Sequence, residues 1–248
     1  MVPSSASIAG PNFILNTIVA EILSQIADRL EKTSDFDAEV QAILKDIVKN
    51  HKRIIFNGNN YSDEWVAEAE KRGLPNIRST VAAIPAIIAD KNAQVLEKHG
   101  VLSKIELESR YEINLENYIK TINIESLTML EMAKRQILPA CIEFATSLAD
   151  SINSIKATGL DVDISAQSEL LTEASSLLAS FKKNISELEK VTAVAADMHG
   201  DSFKQASYYR DEVFTKMGAL RADSDKLETL VDKEYWPIPT YGEILFNI

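Results

Sequence analysis

Glycine and proline are scarce in this chain, at 8 and 7 of 248 residues. Because both residues interrupt regular structure, their scarcity favours long helices over a strand-rich fold. The chain has one cysteine, Cys141, which excludes an internal disulfide and is typical of the reducing cytoplasm. No apolar run approaches the ~20 residues that cross a bilayer.

Positive charge is also in deficit, with 26 Lys and Arg against 37 Asp and Glu and a net charge of −11. Nucleic acids and anionic membranes bind clusters of Lys and Arg, so the composition argues against both as partners. Hydrophobic residues at 46% and charged residues at 25% are typical of a globular domain. The first residues, MVPSSASIAGPN, lack the layout of a secretory signal and enter a helix almost at once. We therefore expect a piece of a longer cytoplasmic protein.

Apolar periodicity predicts an all-α fold. The first helix is apolar around much of its circumference, so we expect it to lie deep against something larger. Ser62 is a good N-cap for the third helix, and Tyr61 with Val66 predicts a hydrophobic staple beside it. The predicted shorter helices are Phe13–Leu30, Asp35–Lys49, Asp63–Lys71 ending at Gly73, and Ile84–His99 ending at Gly100.

Residues 103–235 predict an antiparallel bundle of three long helices, because apolar residues recur there in steps of four and three. The first long helix begins at a capping box of Ser103 and Glu106, and Pro139 should kink it without ending it. The second ends near His199, and a capping box of Ser202 with Gln205 opens the third. The tail 236–248 is apolar and should be pinned against the body. These patterns divide the chain into residues 1–33, a connecting region 34–102, and the bundle with its tail, 103–248.

The stretch 53-RIIFNGNNYSDEW-65 differs from its neighbours. Local chemistry predicts a short β-like segment near 53–57, a turn at Asn57-Gly58 and a capped helix. This segment is a structural joint or a ligand loop, and Asn57, Asn59 and Asn60 are the residues that could contact a ligand.

Candidate catalytic groups are few. Each histidine falls at the end of a predicted helix, where a dipole interaction is the simplest role, and Cys141 lies on the apolar seam as a packing residue. A row of glutamates on one helix reads as a solvated face, because a ferritin-like di-metal site needs Glu-x-x-His motifs that are absent. The histidines are His51, His99 and His199, and the glutamates are Glu106, Glu108, Glu112, Glu116, Glu125 and Glu131.

The sequence contains no phosphate-binding loop, dinucleotide fingerprint, zinc spacing or serine-nucleophile elbow. Taken alone, the residues predict an acidic helical interaction or assembly domain. A stand-alone adaptor is one alternative, and a carboxylate-bridged metalloprotein is another.

Four stretches nevertheless resemble one family, the C-terminal portion of type III glutamine synthetase, the large bacterial form. They are 3-PSSASIAGPNFILNTIVAE-21, 53-RIIFNGNNYSDEWVAEAEKRGLPNI-77, 109-SRYEINLENY-118 and 233-KEYWPIPTYGEILF-246. Segment 3–21 resembles the end of the catalytic domain, and residues 1–33 would then be its last loop and helix. The bundle resembles the additional helical region of type III enzymes.

The resemblance implies an ATP-dependent ligase that joins glutamate and ammonia, with Mg²⁺ or Mn²⁺ as cofactor, in large double-ring oligomers. In the family the metal and phosphate ligands come from preceding strands, so no catalytic, cofactor-binding or metal-binding residue is assigned in this chain. Ser4 and Ser5 are expected to border the glutamate pocket. The implied partners are the catalytic domain and other subunits, and the implied role of this portion is assembly and support.

Overall fold

The computed structural model describes residues 7–246, and every regular element within that range is a helix. The predicted all-α fold class is therefore confirmed. Contacts between helices divide the chain into two units, with the boundary in the sequence between Asn114 and Leu115. The finer division at residues 33/34 and 102/103 stays a prediction. Within the described range no helix is both long enough and apolar enough to cross a membrane.

Short helices make up most of the first unit. The α-helices are α1 (Ala9–Leu30), α2 (Phe36–His51), α3 (Asp63–Lys71), α4 (Thr80–Ala83), α5 (Asp90–Lys98) and the start of α6 (Lys104–Met132). Two 3₁₀ helices, Lys52–Ile54 and Ile84–Ile88, lie between them. A small apolar cluster of the unit contains Ala93, Leu96, Leu102 and Leu107, with Phe13, Ile87 and Ile88 packed against it.

Short polar side chains set the helix starts of this unit. The Asp35 carboxylate accepts from the backbone N–H of Ala38 at 3.1 Å, and the Ser62 hydroxyl accepts from the Trp65 N–H at 3.3 Å. The Ser103–Glu106 capping box is confirmed, since the Ser103 N–H donates to Glu106 Oε2 at 2.8 Å and the Glu106 N–H donates to Ser103 Oγ. These bonds satisfy N–H groups that lack partners in the first turn of a helix.

Three local predictions are wrong. The β-like segment near 53–57 is a 3₁₀ helix at Lys52–Ile54 followed by a loop, because no strand among the described residues offers it ladder partners. The predicted helix Ile84–His99 breaks at Ala89, whose ψ of 134° is extended, so only α5 remains α-helical. Tyr61 is 99% exposed and forms no staple.

The second unit is the bundle predicted from the four-three pattern. Its elements are the rest of α6, α7 (Leu138–Ala157), α8 (Ser165–Ala196), α9 (Ser202–Tyr208), α10 (Phe214–Leu230) and α11 (Tyr241–Leu245). α8 packs against both α7 and α10, and its buried side chains form a seam of Ala174, Phe181, Ile185, Leu188, Thr192 and Ala195. Short links between long helices place them antiparallel, as predicted.

π-helical turns interrupt both helices that flank α8. One spans Ala133–Ile137, directly before α7, and the other spans Tyr209–Val213, between α9 and α10. Pro139 lies in the first turn of α7, so the long helix continues past the proline as predicted. Proline lacks the N–H that would bond four residues back, and the π turn just before it adjusts the hydrogen bonding there.

The predicted capping box of Ser202 and Gln205 is wrong. Asp201 is the N-cap of α9, and its carboxylate accepts from the Lys204 N–H at 2.9 Å. Gln205 instead donates from Nε2 to the carbonyl of Ala195 at 3.0 Å, which ties the start of α9 to the last turn of α8. Asp is as good an N-cap as Ser, so the cap lies one residue earlier than predicted. Ser202 and Gln205 therefore do not take their predicted capping roles.

Among the described residues of the tail, 236–246, only the first few are pinned against the bundle. Trp236 is buried in the core, Ile238 packs on it, and the Tyr235 ring lies 5.9 Å from that of Phe144 in an edge-on arrangement. Beyond Thr240 the apolar side chains of Ile244, Leu245 and Phe246 are exposed. The prediction of a pinned tail therefore holds for residues up to 238.

One buried carboxylate lies within the interface of α8 and α10. Asp223 Oδ2 accepts from the Ser180 hydroxyl and from the Asn184 amide, both at 2.7 Å. Asp223 is buried, and both donors lie on the preceding long helix. A buried acceptor of this kind fixes the register of two helices, because any slip leaves donors without a partner.

Replacing Asp223 by Ala should lower the free energy of unfolding by about 1–3 kcal/mol, because the Ser180 and Asn184 donors lose their acceptor. Urea unfolding followed by far-UV circular dichroism measures the change. The matched control is Asp161→Ala in the exposed α7–α8 link, which should leave the midpoint unchanged. Equal midpoints for the two variants would contradict the structural role of Asp223.

Candidate functional site

Polar residues of helix α1 face the body of its unit. Thr17 is its buried residue and donates from Oγ1 to the carbonyl of Phe13 at 2.7 Å. Glu21, one turn further along the same face, is half-buried. Phe13 supplies the apolar contact on this side, and the Arg110 guanidinium lies 5.8 Å from its ring centre.

Glu21 is the centre of a polar cluster that fixes α1 to the end of α5. Its Oε2 lies 2.7 Å from both Lys98 Nζ and His99 Nε2, and its Oε1 accepts from Gln25 Nε2 at 2.7 Å. The hydrogen bond from Lys98, followed by those from Gln25 and His99, lowers the pKa of Glu21 to about 2. The carboxylate is therefore ionised throughout the physiological range.

A second ionic contact fixes α1 to α2. The guanidinium of Arg29 lies 2.6 Å from Glu39 Oε1 and 3.0 Å from Asp46 Oδ2. Hydrogen bonds to Asp46 and Glu39 raise the pKa of Arg29 above its ordinary value. Charged groups thus hold α1 near its middle, at Glu21, and near its C-terminal end, at Arg29.

The opposite face of α1, which we call the outer face, is apolar and exposed. Leu15 and Leu23 are 62% and 60% exposed. The full set of large exposed apolar side chains on this helix is Ile14, Leu15, Ile18, Val19, Ile22 and Leu23. The expected deep burial of α1 is not found among the described residues, because its polar stripe, not its apolar one, faces the unit.

A contiguous apolar face of this kind has the character of an interaction surface. Monomeric soluble proteins rarely leave large apolar patches in water, since each buried methylene contributes about 0.8 kcal/mol. Six neighbouring aliphatic side chains on a helix of 22 residues give a binding surface without polar specificity. Such a surface can bind another protein surface by excluding water.

The stretch 53–65 is a structural joint that side-chain contacts hold in place. The rings of Phe56 and Trp65 stack with their centres 4.3 Å apart, and the Arg72 guanidinium lies 5.6 Å from the Trp65 ring. Arg72 also donates to the carbonyl of Ile55 at 2.9 Å and pairs with Glu68. These contacts tie the loop that follows α2 to α3.

The tip of this joint carries the asparagines considered as ligand contacts. Asn59 Oδ1 accepts from the Tyr61 N–H at 3.0 Å, so this side chain shapes the turn. A Cβ on Gly58 would lie 2.7 Å from the Phe56 ring, which explains why the smallest residue stands there. Asn57 and Asn60 are exposed, and their role in ligand contact stays a prediction.

The three histidines lie in different surroundings. His51 is the last residue of α2, where the helix dipole favours a positive charge. His99 caps the end of α5 and contacts Glu21, a partner that its position in the sequence did not indicate. The helix predicted to end near His199 stops at Ala196, so His199 lies three residues beyond its end.

Cys141 and the row of glutamates match their predicted structural roles. Cys141 is buried in the bundle core, and burial raises the pKa of its thiol to about 11. All six glutamates on α6 are exposed, and Glu106 serves the capping box while Glu116 pairs with Lys120. In the described part of the chain, no three His, Cys, Asp or Glu side chains converge as metal ligands. Ser4 and Ser5 lie outside the described residues.

Stability should fall with acid through Glu21. The pKa of this carboxyl lies below its ordinary value of 4.5 in the folded chain, so its contribution is complete above that value and is lost as the pH falls toward 2. The difference in thermal midpoint between the native chain and Glu21→Gln should be present at about pH 6 and vanish near pH 2. The exposed Glu31→Gln is the control. A difference that does not depend on pH would contradict the role of the ionised carboxylate.

Comparisons with known proteins identify relatives of this chain. Residues 39–156 match a family described as "Glutamine synthetase C-terminal domain". A glutamine synthetase of Butyrivibrio fibrisolvens is 37% identical over 233 residues, which cover 94% of this chain and 32% of that protein. A type-3 glutamine synthetase of Dictyostelium discoideum is 34% identical over 99% of this chain and 34% of its own length.

A third relative, a glutamine synthetase of Bacteroides fragilis, is 28% identical over 98% of this chain and 34% of its own length. The chain thus spans about a third of the length of the relatives it matches. The resemblance inferred from the four sequence stretches is confirmed. Over almost its whole length, the chain is therefore similar to one region of glutamine synthetases, and residues 39–156 match their C-terminal domain.

Proposed function

We propose that this chain is the C-terminal part of a type III glutamine synthetase and that it serves assembly and support. The whole enzyme would join glutamate and ammonia to glutamine at the expense of ATP, with Mg²⁺ or Mn²⁺, in the cytoplasm. The type-3 relative, aligned over 99% of this chain, supports the subtype. The partners in this proposal are the catalytic domain of the same enzyme and further subunits.

The outer face of α1 is the observation that carries the assembly role. Its six aliphatic side chains face away from the unit, while Glu21 and Thr17 face toward it. The relatives are about three times as long as this chain, so a synthetase body could supply the complementary surface. We propose that the outer face packs on that body.

The chemistry of the reaction supports placing the catalytic ligands elsewhere in the enzyme. Phosphoryl transfer to glutamate needs divalent cations and positively charged groups around the transferring phosphate. The resemblance implies that those ligands come from strands that precede the region similar to this chain. This chain would contribute the helices that position and hold the catalytic body.

The chain alone should form no glutamine above the blank with ATP, Mg²⁺, glutamate and ammonia, because its proposed role is support. A coupled assay of phosphate release together with chromatographic detection of glutamine measures this. The full-length synthetase, assayed in parallel, is the positive control. Turnover by the isolated chain would overturn the proposed placement of the catalytic ligands.

Introducing Leu15→Gln and Leu23→Gln into the full-length enzyme should weaken its assembly and lower its activity by about tenfold or more, because both side chains belong to the outer face. Gel filtration with light scattering and the glutamine assay provide the two measurements. Leu160→Gln, at an exposed leucine in the α7–α8 link, is the matched control. Unchanged assembly in the α1 variant would exclude the outer face as an interface, and so would equal losses in the control.

A further inference from the structure

The exposed side of α2 carries an apolar stripe flanked by lysines. Leu44 and Val48 are exposed one turn apart, and Lys45 and Lys49 stand beside them at the same spacing. With Gln41 they line an open groove of about 520 Å³. Among the described residues neither lysine forms an ion pair. We call this set the basic stripe.

The start of α6 carries the matching pattern with the opposite charge. Ile105 and Ile113 are exposed two turns apart, and Glu108 and Glu112 stand between them on the same side. These two glutamates form no ion pair within the described part of the chain. We call this set the acidic stripe.

The two stripes fit each other in length and spacing. At about 1.5 Å of rise per residue, the lysine pair and the glutamate pair are each separated by about 6 Å along their helices. The isoleucines are about 12 Å apart on the same measure, so Leu44 and Val48 fit between them. Each lysine then faces one glutamate while the four aliphatic side chains exclude water.

We propose that the basic stripe of one copy of this chain packs on the acidic stripe of a second copy. Both stripes are exposed in the part of the chain that the structure describes. Each copy offers both halves of the contact, and a two-fold axis forms it twice at once. In a chain of net charge −11, two lysines one turn apart that have no ion-pair partner among the described residues favour an acidic occupant, and the acidic stripe supplies it.

This proposal deepens the assembly role and rests on it for the expectation of several copies. It does not use the outer face of α1. Ionic and apolar contacts respond differently to salt, so association through the stripes weakens at high ionic strength while association through α1 does not. The two proposals can therefore fail separately.

The test is a reciprocal charge reversal in the full chain. Leu15→Gln and Leu23→Gln are kept in every protein so that the outer face contributes little to association. One variant adds Lys45→Glu and Lys49→Glu, and the other adds Glu108→Lys and Glu112→Lys. Sedimentation equilibrium measures self-association, and circular dichroism confirms folding. Each variant alone should associate at least about tenfold more weakly than the parent, because both of its stripes then carry the same charge.

Mixing the two variants should restore association to within about threefold of the parent, because each stripe then meets the opposite charge on the other copy. Lys190→Glu with Lys204→Glu changes the net charge equally at exposed sites and should leave association unchanged. A parent that stays monomeric, a reversal without effect, or a mixture that does not associate would each overturn the proposal.

Discussion

Burial of the α8 seam between α7 and α10 is the constraint on which the second unit depends. Phe181, Ile185 and Leu188 are fully buried, and the core around them includes side chains from both neighbours and Trp236 from the tail. A helix that packs against neighbours on two sides needs apolar residues that stay on the same sides of the helix along its whole length. The α8 seam achieves this from Ala174 to Ala195 by alternating steps of four and three residues.

The helices that flank α8 keep their buried residues facing the core in a different way. In both, the buried residues make two consecutive four-residue steps, Ala133–Ile137–Cys141 in one and Tyr209–Val213–Met217 in the other, and the first step is a π turn. A wider turn absorbs the extra residue that would otherwise rotate the seam away from the core. The step pattern alone does not specify the π turn, because Ile122–Ser126–Leu130 has the same spacing and stays α-helical.

Local signals in the sequence predicted most of the fold. Ser62, Ser103 and Gly73 marked helix ends correctly because capping depends on side chains within a few residues. The residues 53–57 and 84–89 were misread because their conformation depends on neighbours. Ile55 is held by Arg72, and the break at Ala89 separates two short helices that packing holds in place. The contacts of Glu21 with Lys98 and His99 join residues 77 and 78 positions apart, and no local pattern indicates such a pairing.

The Glu21 contacts have a thermodynamic consequence for recognition. Because charged groups fix α1 to α5 and α2, the helix is already folded and oriented within its unit without a partner. A free amphipathic helix would lose about 1–2 kcal/mol of backbone entropy per residue on becoming ordered at an interface. Here that ordering belongs to folding of the unit, so a partner at the proposed interface would meet a helix that is already ordered, and binding would not carry this entropy cost.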